Sequence, residues 1–171
     1  LTGVIALNKS GLNASIFYLL TYGISTIGAF AIVTLVRDSG GEITDLNRWA
    51  GLAKRSPLIA GVFALFLLTF AGIPLTAGFI AKFSIFSAAF ENGGTWLVLV
   101  GVMSSAIAAF FYIRVIVLMF FREPADDSTS VIIPSIFTQI TIAISAALTI
   151  LIGVFPQPLL NLINNLALLV R

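Results

Sequence analysis

The chain has 171 residues, of which 59% are hydrophobic and only 9% are charged. Soluble domains carry about 25% charged residues, so the composition excludes an ordinary water-soluble fold, and the scattered Lys and Arg residues argue against nucleic-acid binding. The sequence contains no Cys and no His, which excludes disulfides, Cys- or His-ligated metal centres and Ser-His or Cys-His nucleophile pairs within this chain.

The apolar residues fall into four blocks, each close to or above the roughly 20 residues that a helix needs to cross a bilayer. We therefore expect an all-α, polytopic transmembrane bundle with spans at about 14–36, 57–90, 95–121 and 131–155. Residues 1–8 are too few to span, and we interpret them as the end of a helix that begins in a longer polypeptide. A short capped helix is predicted at Thr44–Ala50, with Trp49 at the lipid headgroups. Residues 159–170 are predicted to form a short interfacial or packed helix.

The second apolar block has about 34 residues. An unbroken helix of that length would extend about 50 Å, well beyond a hydrocarbon core of about 30 Å. Pro74 lacks a backbone donor and clashes with the carbonyl of Phe70, so the span is predicted to be discontinuous at Gly72–Pro74. The Phe70 carbonyl would then be free, and the hydroxyls of Thr69 and Thr76 would lie nearby.

Lys82 is the most informative charge because it lies eight residues before Phe90, the end of its block. That separation is about 12 Å of helix, which places Lys82 near the middle of the membrane. A lysine at this depth costs about 2.5–3.5 kcal/mol on insertion scales and generally marks an ion pathway. Low polarity disfavours the charged amine, so Lys82 is predicted to exchange a proton. The alternative is a snorkelling or ion-paired lysine without a transport role.

The third predicted span carries a second charge at depth, Arg114, seven residues before Phe121. Arg114 is interpreted either as an anchor that reaches the interface or as part of a charged axis. Ser105 and Tyr112 share one polar face of this span. Such a face favours helix–helix contact, and the alternative is that it lines a hydrated proton path.

Basic residues predict the orientation of the chain in the membrane. The first and third loops together hold five of them, namely Arg37, Arg48, Lys54, Arg55 and Arg122. The opposite side holds Lys9 and Arg171. By the positive-inside rule the two loops face the cytoplasm and the C-terminus lies outside, on the periplasmic side of an inner (plasma) membrane.

The run Ala71–Phe83, AGIPLTAGFIAKF, resembles the broken twelfth helix of the antiporter-like subunits of respiratory complex I, the proton-translocating NADH:quinone oxidoreductase. Within that family the resemblance is greatest to the N-type subunits, also called subunit 2. Supporting stretches are residues 45–52, Phe111–Val115 and Gly153–Pro158. The M-type subunits carry a carboxylate where this chain has Lys82.

The resemblance implies that the chain provides the last four of fourteen helices of an antiporter-like fold. Gly72, Pro74 and Gly78 would form the helix break, and Lys82 would belong to a hydrated central axis that passes protons. FMN, iron–sulfur clusters and quinone are expected in other subunits, and no cofactor is expected in this chain. The expected partners are other membrane-arm subunits and the lipid bilayer.

Two alternatives stay open at this point. One is a subunit of a multisubunit cation/proton antiporter from the same superfamily. The other is a structural membrane subunit without a proton path, in which Lys82 is merely paired.

Overall fold

The computed structural model describes residues 9–38, 41–42, 45–124 and 130–169. The described chain is predominantly helical. Its α-helices in chain order are α1 Lys9–Val33, α2 Leu52–Arg55, α3 Pro57–Ala71, α4 Ala77–Glu91, α5 Thr95–Phe121, α6 Ile136–Val154 and α7 Gln157–Leu169. The predictions for residues 1–8, for Thr44, the start of the predicted short helix, and for residues 170–171 fall outside the described residues.

Three of these helices, α1, α5 and α6, are long and apolar enough to cross a membrane. Helices α3 and α4 have 15 residues each, or about 22 Å, so neither reaches across a hydrocarbon core of about 30 Å alone. The predicted interruption is present, because α3 ends at Ala71 and α4 begins at Ala77.

Helix α1 lies at the centre of the bundle, where it packs against α3, α4, α6 and α7. Two buried clusters hold it there. The first includes Ile32, Phe66 and Met119 and joins α1 to α3 and α5. The second includes Phe17 and Ile163, and it joins α1 to α4, α6 and α7. The helix break therefore lies between two apolar clusters.

The C-terminal helix α7 is packed against α1, one of the two arrangements expected for it. Ile163 is buried, and the amide of Asn13 donates a hydrogen bond of 2.6 Å to the side-chain oxygen of Asn164. Between α1 and α6, the hydroxyls of Ser25 and Thr149 lie 3.1 Å apart. Hydrogen bonds of this kind join helices where no water is available.

The first and third loops meet at one end of the bundle. Strand β1 (Val36–Asp38) pairs antiparallel with β2 (Gly41–Glu42) and with β3 (Ser130–Val131), in the order β2-β1-β3. Lys54 and Glu123 form an exposed ion pair of 2.6 Å between the same two loops. No strand was predicted, because segments of two or three residues are too short to show an alternating pattern.

Trp49 is part of the core rather than a lipid-facing anchor, so that expectation was wrong. It ends a 3-10 helix, Leu46–Trp49, whose N-cap Asp45 accepts a hydrogen bond of 2.9 Å from the Asn47 N–H. The indole is 6% exposed and stacks on Phe63 with ring centroids 5.1 Å apart. Its aromatic surface is therefore covered by protein, beneath the loops.

The end of α3 is closed by a Schellman motif. Gly72 has a left-handed backbone, with φ of 76°, and its N–H donates to the carbonyl of Thr69 at 3.1 Å. The N–H of Ile73 donates to the carbonyl of Leu68 at 3.2 Å. These are the two hydrogen bonds of this motif, and they favour glycine at the left-handed position. Backbone donors therefore cap two of the last four carbonyls of α3.

The connection to α4 is a tight turn with a strained residue. The Thr76 N–H donates to the Ile73 carbonyl at 3.1 Å, and Leu75 has φ of 74°, as in a type II turn with Pro74 at its second position. Glycine is favoured where Leu75 stands, and a left-handed non-glycine residue costs of order 1–3 kcal/mol. The Thr76 hydroxyl then caps α4 by accepting from the Phe79 N–H at 3.4 Å.

Glycines permit the close packing of three helices around the turn. A Cβ added to Gly78 would overlap the backbone carbonyl oxygen of Thr69. A Cβ on Gly153 of α6 would come within 2.8 Å of the Ala77 nitrogen and 3.0 Å of the Leu75 oxygen. Helices α3, α4 and α6 therefore meet backbone to backbone at these positions.

We expect Gly78→Ala to destabilise the protein by about 1–3 kcal/mol, because the added methyl group meets a backbone atom that cannot move aside easily. Thermal unfolding of the detergent-solubilised protein would measure the loss. Gly61→Ala in α3 is the matched control, since no atom lies within 4 Å of the added Cβ and alanine favours a helix. Equal unfolding temperatures for the two variants would contradict this packing.

Candidate functional site

Lys82 on α4 reaches back to the end of α3. Its Nζ donates to the carbonyl of Phe70 at 2.8 Å and to the carbonyl of Ala71 at 3.3 Å. The last four carbonyls of a helix have no partner inside that helix. In α3 the Schellman motif satisfies the first two, and the Lys82 side chain satisfies the other two.

The charge of Lys82 faces the negative end of a helix dipole. The C-terminus of a helix carries about half a negative charge, so a cation at its last carbonyls is stabilised. Among the described residues no carboxylate forms an ion pair with Lys82. A Cβ on Gly72 would lie 3.0 Å from Lys82 Cδ, so the glycine also leaves room for the lysine side chain. Within the described part of the chain, the group that faces this ammonium is therefore the backbone dipole at the end of α3.

A small cavity of about 10 Å³ lies beside Lys82, between α1, α3 and α4. Its lining consists of Tyr18, Thr21, Tyr22, Thr69, Gly78, Ala81 and Lys82. Of the polar residues that the sequence pointed to as lining, Thr69 borders this cavity, and its hydroxyl donates to the Leu65 carbonyl at 2.9 Å. The sequence did not point to Thr21. The nearest signal in the sequence was the pair Tyr18 and Tyr22, which lie four residues apart on one face of α1.

An aromatic chain connects three helices next to the break. The rings of Tyr18 and Tyr22 on α1 are stacked with centroids 5.5 Å apart. Tyr22 contacts Phe70 on α3 at 5.1 Å, and Phe70 contacts Tyr112 on α5 at 5.6 Å. Tyr112 therefore contacts Phe70, the residue whose carbonyl binds Lys82.

The remaining candidate residues have separate positions. The Thr76 hydroxyl donates to the Ile73 carbonyl at 2.7 Å, so it stabilises the turn between α3 and α4. Ser105 is half-buried and Arg114 is exposed on α5, and neither borders the cavity beside Lys82. The structure thus brings together Lys82, Thr69, Gly72 and Gly78, and it places Ser105 and Arg114 elsewhere.

Across the described ranges, no three His, Cys, Asp or Glu residues form a group that could hold a metal ion.

Solved structures share this arrangement of helices. One is respiratory complex I from Thermus thermophilus with bound aureothin, with a TM-score of 0.80 and 26% identity over 94% of this chain and 36% of that chain. Another is the Mrp complex from Dietzia, with a TM-score of 0.78 over 96% of this chain and 39% of that one. The Dietzia protein is 23% identical, so it shows similarity of fold alone.

Two relatives found by sequence are more similar to this chain than these solved structures are. NADH-quinone oxidoreductase subunit N of Rhodococcus opacus is 61% identical over the whole chain, and subunit N 3 of Streptomyces griseus is 58% identical. The chain spans about a third of the length of these relatives, 32% and 31% respectively. A family model described as NADH:quinone oxidoreductase/Mrp antiporter, TM, matches residues 1–108. The chain therefore belongs to the transmembrane family of NADH:quinone oxidoreductases and Mrp antiporters.

Proposed function

We propose that this chain is part of a membrane-arm subunit of a proton-translocating NADH:quinone oxidoreductase, and that Lys82 passes protons through it. The observation that carries the proposal is the ammonium group of Lys82, held by two carbonyls at a helix break inside an apolar bundle. The names of the relatives at 61% and 58% identity support the same assignment.

The geometry around Lys82 suits a group that alternates between charged and neutral forms. The helix end favours the ammonium form, whereas the apolar surroundings favour the neutral amine. A neutral amine still carries two N–H donors, so the bonds to Phe70 and Ala71 can persist after one proton leaves. Loss of the proton therefore leaves every carbonyl at the end of α3 satisfied.

The helix break provides the second part of this mechanism. Ile73, Pro74 and Leu75 are exposed, so the described helices leave the turn uncovered on one side. Discontinuous helices coordinate ions near the membrane midplane in many transporters. Quinone reduction elsewhere in the complex would change the electrostatic potential along the membrane arm, and Lys82 would respond by releasing or accepting a proton.

The chain then has a defined position in the membrane arm of the complex. Helices α3 and α4 together form one interrupted span, and the chain provides the last four of fourteen helices. Its partners are other membrane-arm subunits and lipid, while FMN, iron–sulfur clusters and quinone reside in other subunits. The loops joined by β1 and β3 face the cytoplasm, and α7 lies on the outer side of the plasma membrane.

A subunit of a cation/proton antiporter is the alternative within the same family. The similarity to the Mrp complex is at 23% identity, whereas the relatives above 50% identity carry the name of the oxidoreductase subunit. The oxidoreductase is therefore favoured. Exchange of Na⁺ for H⁺ in vesicles without NADH or quinone would instead support the antiporter.

We expect Lys82→Ala in the complete complex to lower NADH-driven proton pumping by more than about tenfold, because a proton-transferring side chain is removed. Quenching of a pH-sensitive dye in inverted vesicles measures pumping, and quinone reduction is followed in parallel. Lys54→Ala is the control, since it removes an exposed lysine at the loop end.

Unchanged pumping with normal assembly of the Lys82→Ala complex would contradict the relay role. The structural alternative makes a different prediction for Lys82→Met. If Lys82 is only a packed residue, the methionine variant keeps its pumping, and its stability can rise because a buried charge is gone.

We expect cysteines at the two ends of the bundle to react from opposite sides of the membrane. This chain has no Cys, so Glu123→Cys and Glu91→Cys each place one thiol in it, at an exposed position. A membrane-impermeant maleimide should label Glu123→Cys in inverted vesicles and Glu91→Cys in right-side-out vesicles. Labelling of both variants from one side would refute the proposed topology.

A further inference from the structure

The hydroxyl of Thr21 lacks the hydrogen bond that several other helical hydroxyls of this protein form. Six others donate to the carbonyl four residues earlier in their own helix, namely those of Ser15, Ser25, Thr69, Ser84, Ser104 and Thr141. Thr21 is 2% exposed, and within the described part of the chain its Oγ1 has no hydrogen-bond partner. A buried hydroxyl left unpaired is unfavourable, so its position requires an explanation.

The cavity beside Lys82 supplies one. Thr21 borders it together with Lys82, Tyr18, Tyr22 and Thr69. Its volume of about 10 Å³ matches the space that one water molecule needs, and a buried water needs two to four polar partners. An ammonium group has three N–H donors, and two of those on Lys82 are used by Phe70 and Ala71. Among the described residues, one donor of Lys82 and the hydroxyl of Thr21 thus remain without a partner, and both residues border the same small space.

We propose that this cavity is a binding site for a single water molecule that joins Lys82 Nζ to Thr21 Oγ1. The water accepts the third N–H of Lys82 and donates to the Thr21 hydroxyl. Thr21 is then a positioning residue, because it orients the water through which Lys82 exchanges its proton. This step rests on the proposed function and deepens it, since it directs the proton of Lys82 toward α1.

Thr26 provides a matched control on the same helix. Its hydroxyl is also buried without a partner among the described residues. It borders a different, largely apolar groove between α1 and α3 that does not include Lys82. Thr21→Val and Thr26→Val therefore remove the same chemical group from two buried positions, and only one of them borders the lysine.

The first test is a high-resolution cryo-electron microscopy structure of the assembled complex. We expect density for one water within hydrogen-bond distance of Thr21 Oγ1 and Lys82 Nζ, and we expect its loss in Thr21→Val. A map that resolves other buried waters but shows none here would overturn the site. Density that persists in Thr21→Val would overturn the positioning role of Thr21.

The second test is kinetic and uses the same complex in vesicles. Thr21→Val should slow coupled proton translocation about fivefold, the effect of losing one hydrogen bond. It should also alter the solvent deuterium isotope effect, which a purely structural defect would not change. Thr21→Ser keeps the hydroxyl and should stay within about twofold of the wild type, as should Thr26→Val. Equal slowing by Thr21→Val and Thr26→Val would contradict the proposal.

The two proposals fail in distinguishable ways. If Lys82→Ala lowers pumping while Thr21→Val does not, the water site is wrong and the proton relay stands. If Lys82→Ala pumps normally, the relay is wrong, and the density between Thr21 and Lys82 alone decides whether the water is bound.

Discussion

The structure depends on the binding of the Lys82 ammonium group to the last two carbonyls of α3. A helix that ends inside a membrane exposes four carbonyls where no bulk water can satisfy them. Here two backbone N–H groups and one side chain satisfy all four. One lysine therefore allows a helix to stop in the apolar region, and the helix end in turn allows a cation to reside there.

Much of this site was predictable because it follows from local rules. Proline four residues after Phe70 frees that carbonyl in any helix, and an apolar block too long for a bilayer must be interrupted. The depth of Lys82 in the membrane rests on counting residues to the end of its block, and it stays a prediction. The partnership itself was not predictable, because Lys82 is twelve residues from Phe70 and reaches it only if the chain folds back through a tight turn. Thr21 lies on another helix, so its place beside Lys82 depends on tertiary packing.

The same distinction holds for the rest of the fold. Helices lie in every predicted apolar block, but α1 runs from Lys9 to Val33 rather than over 14–36, and α6 begins at Ile136 rather than at 131. The burial of Trp49 against Phe63 and the pairing of β1 with β3 were missed. Both depend on the meeting of two loops that are far apart in sequence, and neither leaves a periodic pattern. The close approach of α4 to the Thr69 carbonyl at Gly78 could not be predicted. The sequence showed only that a glycine stands at this position of the AGIPLTAGFIAKF run.

The separate capping of α3 and α4 has a mechanical consequence. Ile73–Leu75 join two short helices, and the close contact of Gly78 with the Thr69 carbonyl fixes the angle between them. The Lys82 side chain ties the helices together near this joint, and it carries the charge. A force on the ammonium group is therefore transmitted directly to the backbone at the end of α3.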